Sequence, residues 1–341
     1  MSLELLLAGI ILISLTFYVL LGGADYGAGV WSLFATGPRA SAQREATAKA
    51  IGPIWEANHV WLILVVTVLF TAFPKAFALL STRLHIPLSL MLIGIVLRGS
   101  AFAFHTNDVV PRLEREAKAQ RVWERVFGVS SVFTPIMLGI TIGAVASGRL
   151  GGQADTFVDM FVRPWANPFC LAVGLLALAL FAFLAAVYLL LETRDDGLRK
   201  DFRKRALWAA VAAAVVAAAV FLLSKDEAPH VRNNLGRTIW GIMIVALAGL
   251  SALGALVSLW QKKDRAAFVF GVSEVILILW GWALAQYPYL VEPDVTIADA
   301  APVQTLQLVL VALLAGALVL FPSLYYLYRV FKGGTILRAL E

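Results

Sequence analysis

Nine times along this 341-residue chain, a run of about 20 residues is almost wholly apolar. A transmembrane helix needs about that length to cross the hydrocarbon core. The runs cover residues 5–28, 53–73, 84–104, 126–147, 168–191, 206–223, 238–260, 266–287 and 306–328. The sixth is short and alanine-rich. With 60% hydrophobic residues, 15% charged residues and a mean hydropathy of +0.83, a water-soluble fold would need more core than one domain supports and too few charges would remain to cover it. The expectation is an all-α polytopic membrane protein with nine transmembrane helices. Met1-Ser2-Leu3-Glu4 lacks the basic start of a signal peptide, so the first helix is expected to be retained. The lone Cys170 excludes an internal disulfide and a cysteine-ligated metal or iron–sulfur site, and reads as a small buried hydrophobe.

Nine spans put the termini on opposite sides. Of the 28 lysines and arginines, 19 fall in the loops and tail of one side and seven on the other, with Arg98 and Arg125 in or beside helices. The positive-inside rule makes the 19-residue side cytoplasmic, with the N-terminus outside and the C-terminus inside. The net charge of +6 is then a property of membrane-facing loops, and no nucleic-acid partner is expected. Trp31, Trp123, Trp208 and Trp260 at predicted inner ends, with Trp165 and Trp240 at outer ends, read as an aromatic belt. The basic, amphipathic stretch 112–125 is expected on the inner membrane surface. The long connections 148–167 and 288–305, rich in proline and aromatic residues, are expected to be ordered outer caps.

Against this apolar background, polar residues within the spans stand out. In Ile51-Gly52-Pro53-Ile54-Trp55-Glu56-Ala57-Asn58-His59-Val60-Trp61-Leu62, Gly52, Glu56 and His59 recur at i, i+4 and i+7 and share a helical face. A carboxylate at the bilayer centre costs roughly 2.5–3.5 kcal/mol, and less toward the ends. The first span meets Gly22-Gly23-Ala24-Asp25-Tyr26-Gly27-Ala28-Gly29 near its inner end, where Gly23 and Gly27 form a small-xxx-small pair that permits close helix approach. Arg98 lies in the inner third of the third span, with His105 seven residues on, and Glu274 lies two turns into the eighth. Asp25, Glu56, His59, Arg98 and Glu274 are thus expected in the cytoplasmic half of the membrane, from four helices.

Two readings of that convergence compete. In one, Arg98 neutralises Asp25 or Glu56 and locks the packing. In the other, buried carboxylates and an imidazole relay protons from the cytoplasm. His59 as a haem ligand is the weaker idea, because haem in a helix bundle usually takes two axial ligands from facing helices. Only His105 is near its depth. His85 and His230 fall at outer positions. No phosphate loop, nucleophile elbow or zinc spacing occurs.

The segments Gly23-Ala24-Asp25-Tyr26-Gly27-Ala28-Gly29 and Pro53-Ile54-Trp55-Glu56-Ala57-Asn58-His59-Val60-Trp61-Leu62 resemble the paired signature of subunit II of cytochrome bd-type quinol oxidases, the cyanide-insensitive variant included. Leu97-Arg98-Gly99, Asn167-Pro168-Phe169, Asp264-Arg265-Ala266-Ala267-Phe268 and Tyr287-Pro288-Tyr289 extend the likeness over most of the chain. The resemblance implies two four-helix bundles plus a peripheral helix: residues 1–147 with the polar cluster, 168–290, and 305–341 as peripheral helix and cytoplasmic tail. It implies a heterodimer with a homologous subunit I that carries the haems b and d and the quinol site. Small single-helix subunits and a structural quinone accompany some members. It also implies a proton path from the cytoplasm through Glu56 with Asp25 nearby, to which His59, His105 and Asp108 are joined as path residues. Arg98, Trp55, Asn58 and Glu274 are assigned structural or ion-pair roles. Two features depart from the pattern. Ala103 stands where some members carry an acid, which would send protons by Glu56, His105 and Asp108, and the loop 224–237 is short.

The functional expectation is a haem-free subunit II of a quinol:oxygen oxidoreductase in the bacterial plasma membrane, binding no metal itself. It would stabilise subunit I and admit cytoplasmic protons for reduction of oxygen to water. The alternatives are a proton-coupled secondary transporter with Asp25, Glu56 and Arg98 at a helix break, and a scaffold whose buried charges only lock packing.

Overall fold

The computed structural model describes residues 2–106, 114–152 and 155–332, with backbone alone at 51–57, 104–106, 114–121 and 327–332. Twelve helices and one small hairpin make up these residues: α1 Leu3–Leu33, α2 Ala40–Ala72, α3 Pro74–Arg83, α4 His85–Thr106, α5 Glu114–Ala146, α6 Phe157–Phe161, α7 Pro168–Glu192, α8 Asp196–Glu227, α9 Pro229–Arg237, α10 Ile239–Trp260, α11 Asp264–Gln286, β1 Tyr289–Val291, β2 Val295–Thr296 and α12 Val303–Lys332. Eight of the helices are long and apolar enough to cross a membrane, which makes this a multi-pass, all-helical membrane protein.

The second apolar run behaves differently. After Ala72 the chain turns by 116° into α3. Phe73 leaves helical geometry (φ −131°, ψ 60°) because Pro74 follows it. A proline disfavours helical backbone at the residue before it and offers no N–H to continue the ladder. Among the described residues, a ninth span is reached when this bent pair is taken as one.

Helix starts follow local chemistry. Asn167 accepts a 2.9 Å hydrogen bond from the Cys170 backbone and Pro168 takes the first turn of α7. Asp195 accepts from Leu198 at the start of α8, and Thr238 accepts from Gly241 at the start of α10. With Asp195 as cap, α8 begins ten residues before the apolar run that predicted it and takes in the charged residues 196–205. Residues 114–125, expected on the inner surface as an amphipathic stretch, form the first turns of α5. A helix of that length is about 50 Å long, against a hydrocarbon core of about 30 Å, so part of it extends beyond the apolar layer.

α7 is the central helix. It packs against α1, α2, α5, α8 and α11, and Phe183, Ala185, Ala186, Val187 and Leu189 are fully buried. On one side of it α1 contacts α2 and α5, and α5 contacts α4. On the other, α10 contacts both α8 and α11. α12 packs against α1 and α2, and its apolar window is unburied within the chain. Trp208 and Trp260 are exposed, as a membrane belt requires. Trp31 is half-buried. Its indole donates a 2.7 Å hydrogen bond to the Ala182 carbonyl and ties α1 to α7.

The connections at one end are ordered, as their composition suggests. The β1–β2 hairpin pairs Tyr289 with Thr296 and Val291 with Val295. Ala301 donates to the Ala72 carbonyl at 2.8 Å, Lys75 pairs with Asp299 at 2.9 Å, and Arg149 with Glu227 at 2.7 Å. At the other end, Asp264 pairs with Arg199 and Arg203, both at 2.7 Å, and Arg39 with Asp201 at 2.7 Å. Those bridges join the start of α8 to α11 and to the loop before α2.

Candidate functional site

Four glycines bring the walls of the site together. On α1, a β-carbon at Gly27 would strike the Phe181 carbonyl of α7, and one at Gly29 would strike the Ser131 hydroxyl of α5. One at Gly23 would reach Leu184 of α7 at 2.8 Å, and one at Gly22 would reach the Asn58 amide of α2 at 3.0 Å. The Gly23/Gly27 pair is therefore used against α7, while Gly22 and Gly29 admit the polar neighbours. Close approach of backbones through small residues is the usual route to tight packing in membranes.

In that space sits a fully desolvated ion pair. Arg98 Nη1 donates to Asp25 Oδ2 at 2.8 Å and Nη2 to Oδ1 at 2.7 Å. Nη2 also donates to the Asp25 carbonyl at 3.1 Å, and Nε to Ser131 Oγ at 3.0 Å. Side-chain exposure is 1% for Arg98 and 0% for Asp25. The guanidinium lies 4.6 Å from the Tyr26 ring centroid and 4.7 Å from that of Phe127. A two-pronged carboxylate bond with aromatic faces above and below is arginine chemistry that lysine cannot copy. Ser131 in turn donates to the Phe127 carbonyl at 2.6 Å, so its lone pairs are aimed at Arg98.

Around this pair the polar atoms have few partners. Asn58 is completely buried, and neither atom of its amide has a hydrogen-bond partner among the described residues. The indole N–H of Trp61 has none either, and the hydroxyls of Tyr18 and Tyr26 interact with each other without making a well-formed hydrogen bond among the described residues. His59, half-buried, lies within electrostatic reach of both Asp25 and Arg98. Asp25 and Arg98 thus meet, with His59 within reach of both, and Asn58 packs against Gly22 beside them. Glu56, Trp55 and His105 lie on helices at positions described by backbone alone, and Asp108 lies outside the described residues. Glu274 is buried on α11 and takes no part in the Asp25–Arg98 network. The helix register sets it level with Ser251 of α10, because Gly254 faces Phe270 and Gly281 faces Ile244.

The described histidines form no facing pair for a bis-ligated haem. His85 is bonded to the Thr82 carbonyl at 2.9 Å, and His230 to Asn234 at 3.1 Å and near Glu292 at 3.9 Å, both away from His59. Among the described residues no three or more His, Cys, Asp and Glu side chains gather as metal ligands.

Sequence reasoning missed Ser131, Tyr18 and Tyr26. A signal for Tyr18 existed: Tyr18, Gly22, Asp25 and Gly29 recur at helical spacing on one face of α1. Ser131 carried no comparable signal beyond being polar in an apolar run.

Comparison with known proteins places this architecture. The family model described as cytochrome bd terminal oxidase subunit II matches residues 3–331. A putative cytochrome bd menaquinol oxidase subunit II of Bacillus subtilis is 24% identical over 326 residues, covering 92% of this chain and 91% of the relative. Subunit 2 of the cytochrome bd-I ubiquinol oxidase of Escherichia coli K12 is 24% identical over 330 residues, covering 87% and 82%. A chain in the structure of bd oxidase from Geobacillus thermodenitrificans shares the fold, with a TM-score of 0.80 at 23% identity over 98% of this chain and 100% of that one.

Proposed function

The chain belongs to the cytochrome bd terminal oxidase subunit II family, and from that membership we propose that it is the haem-free subunit of a quinol:oxygen oxidoreductase that admits protons to a haem-bearing partner. The observation that carries the assignment is the family match over nearly the whole chain, residues 3–331. In this reading subunit I holds the haems b and d and oxidises the quinol. This chain stabilises it, in some assemblies with small single-helix subunits and a structural quinone. Residues 1–147 and 168–290 form two four-helix bundles, and 305–341 form the peripheral helix and tail. The bent α2–α3 pair counts as one of nine spans. The N-terminus faces outward from a bacterial plasma membrane and the C-terminus inward, on the evidence of the lysine and arginine distribution.

Protons enter from the basic side by way of Glu56, with His59, His105 and Asp108 as further stations. Asp25 is held by Arg98, so it acts first as the fixed charge that sets the local field. Proton uptake inside and quinol deprotonation outside separate charge without a pump. Haem bound in the partner supplies the electron transfer to oxygen, and this chain's share is to hold the partner and move protons. The transporter alternative needs a break beside the polar cluster. The break at Phe73 comes 15 residues after Asn58, about 22 Å along the helix.

Two measurements test the reading. The complex purified through this chain should contain a haem-bearing partner, with a reduced-minus-oxidised spectrum that the isolated chain lacks. Haem in the isolated chain, or no haem-bearing partner, would overturn it. Glu56→Gln should slow oxygen reduction in a fully assembled complex, by roughly a hundredfold if it is an obligatory acid–base station. Wild-type turnover would remove Glu56 from the path.

A further inference from the structure

We infer that Tyr18, Tyr26 and Asn58 line a hydrated proton relay that extends the Asp25–Arg98 site about 10 Å toward the N-terminal end of α1. This rests on the proton-uptake reading above and adds residues that reading does not contain.

Three tiers of polar atoms follow one another along the α1–α2 seam. The helices are antiparallel there, with Gly22 against Asn58 and Phe17 stacked on Trp61 at 4.4 Å. Asp25 and Tyr26 form the first tier, with Arg98. Asn58 is the second, one turn on. Tyr18 and Trp61 are level with each other and form the third. Adjacent tiers are thus about 5 Å apart, near the span of one bridging water. The tyrosines lie eight residues apart, and a helical side chain leans toward the N-terminus. The Tyr26 phenol therefore points toward the tier of Tyr18, and each hydroxyl lies within electrostatic reach of the other and of Asp25 and Arg98.

These groups are buried, with exposure of 1% for both tyrosines and 0% for Asn58; the two hydroxyls lie close enough to interact as a hydrogen-bonding pair, and among the described residues neither they nor the Asn58 amide makes a well-formed hydrogen bond. Leaving one such group unbonded costs about 1–3 kcal/mol, and native interiors avoid it by placing ordered water there. Several orphaned donors and acceptors at one-turn intervals are what a short water file requires. The chemistry divides by side chain. A tyrosine hydroxyl accepts a proton on its lone pair and releases its own, so one O–H bond forms as one breaks and the residue returns to its starting state by rotation. The Asn58 amide and the donor-only Trp61 indole pass no proton but orient water. Arg98, always charged, stays out of the transfer and discourages a free cation from resting beside it.

The test uses the assembled oxidase. Tyr18→Phe and Tyr26→Phe keep the rings, including the Tyr26 stack on Phe181 at 6.3 Å and its contact with Arg98. Each should slow proton uptake from the inner-face medium by roughly tenfold or more after oxygen is admitted to the reduced complex, and raise the solvent deuterium isotope effect. Anaerobic reduction of the haems by quinol should keep its wild-type rate. High-resolution cryo-electron microscopy of the wild-type complex should show water within hydrogen-bond distance of Tyr18 Oη and the Asn58 amide. Wild-type uptake in both variants overturns the relay, as does a dry Tyr18–Asn58 gap. If Glu56→Gln slows uptake while both tyrosine variants are normal, the relay falls and the uptake function stands. If Glu56→Gln is also normal, the uptake reading itself falls.

Discussion

Asp25 and Arg98 show what one buried pair demands of its surroundings. Removing either partner leaves an uncompensated charge in a low-dielectric interior, at a cost of about 3–5 kcal/mol. Asp25→Leu is therefore expected to lower thermal stability of the purified complex sharply, whereas Asp25→Leu with Arg98→Met should recover most of the loss. Independent, additive losses in the double variant would show that the two residues do not act as a pair. Arg98→Lys keeps the charge but loses the two-pronged bond, the donation to Ser131 and the aromatic sandwich, so it should behave more like a loss than a conservative change.

At the scale of elements, α1 is built as a surface for other helices. Gly27 meets backbone, since its neighbour is the Phe181 carbonyl, and backbone cannot swing aside. Gly27→Ala should destabilise by about 1–3 kcal/mol through overpacking. Gly9 lies on the same helix with nothing within 4 Å of an added β-carbon. Gly9→Ala should stabilise by about 0.5–1 kcal/mol. Thermal unfolding of the two variants side by side checks both signs, and equal effects would show that α1 does not press on α7 at Gly27. The same logic explains why α2 stops at Phe73: a proline at the next position ended the helix where composition alone would have let it run.

At both ends of the helix bundle, polar contacts tie the connections to the helices. At the hairpin end, Asp299 accepts from the Thr296 backbone and hydroxyl and pairs with Lys75, and these contacts hold its carboxyl below the ordinary range. A carboxyl lowered on folding contributes its stability at neutral pH and loses it as pH falls through the usual carboxylate range and below. Nearby Glu292 is shifted the other way, upward by burial with His230 opposing. Its contribution is complete below the ordinary glutamate value and is lost as pH rises through the raised one. Amide protection factors across residues 288–302, taken relative to the intrinsic exchange rate at each pH, should thus fall on acidification below about pH 4, and Asp299→Asn should remove that fall. Protection that does not change with pH in the wild type would show that the Lys75–Asp299 link does not hold the hairpin down.

Sequence alone determined the class of this protein and most of its helices. Apolar length is a local property, and lipid admits few ways to satisfy a backbone. It also set Asp25, Glu56, His59, Arg98 and Glu274 at one depth, because polar groups in apolar runs are costly and must find one another; of these, Arg98 meets Asp25 with His59 in reach. The two signature segments carried the family assignment. Tertiary structure decided the pairing. Helical spacing fixes a face and a depth but not a neighbour, so Arg98 had two carboxylates to choose from, and its guanidinium meets Asp25 and Ser131. Contact across helices likewise decided that the Trp31 indole ties α1 to α7. It also revealed that Tyr18 and Tyr26 bring two buried hydroxyls close to each other beside that pair, since a tyrosine in an apolar run reads as packing until the surroundings of its oxygen are seen.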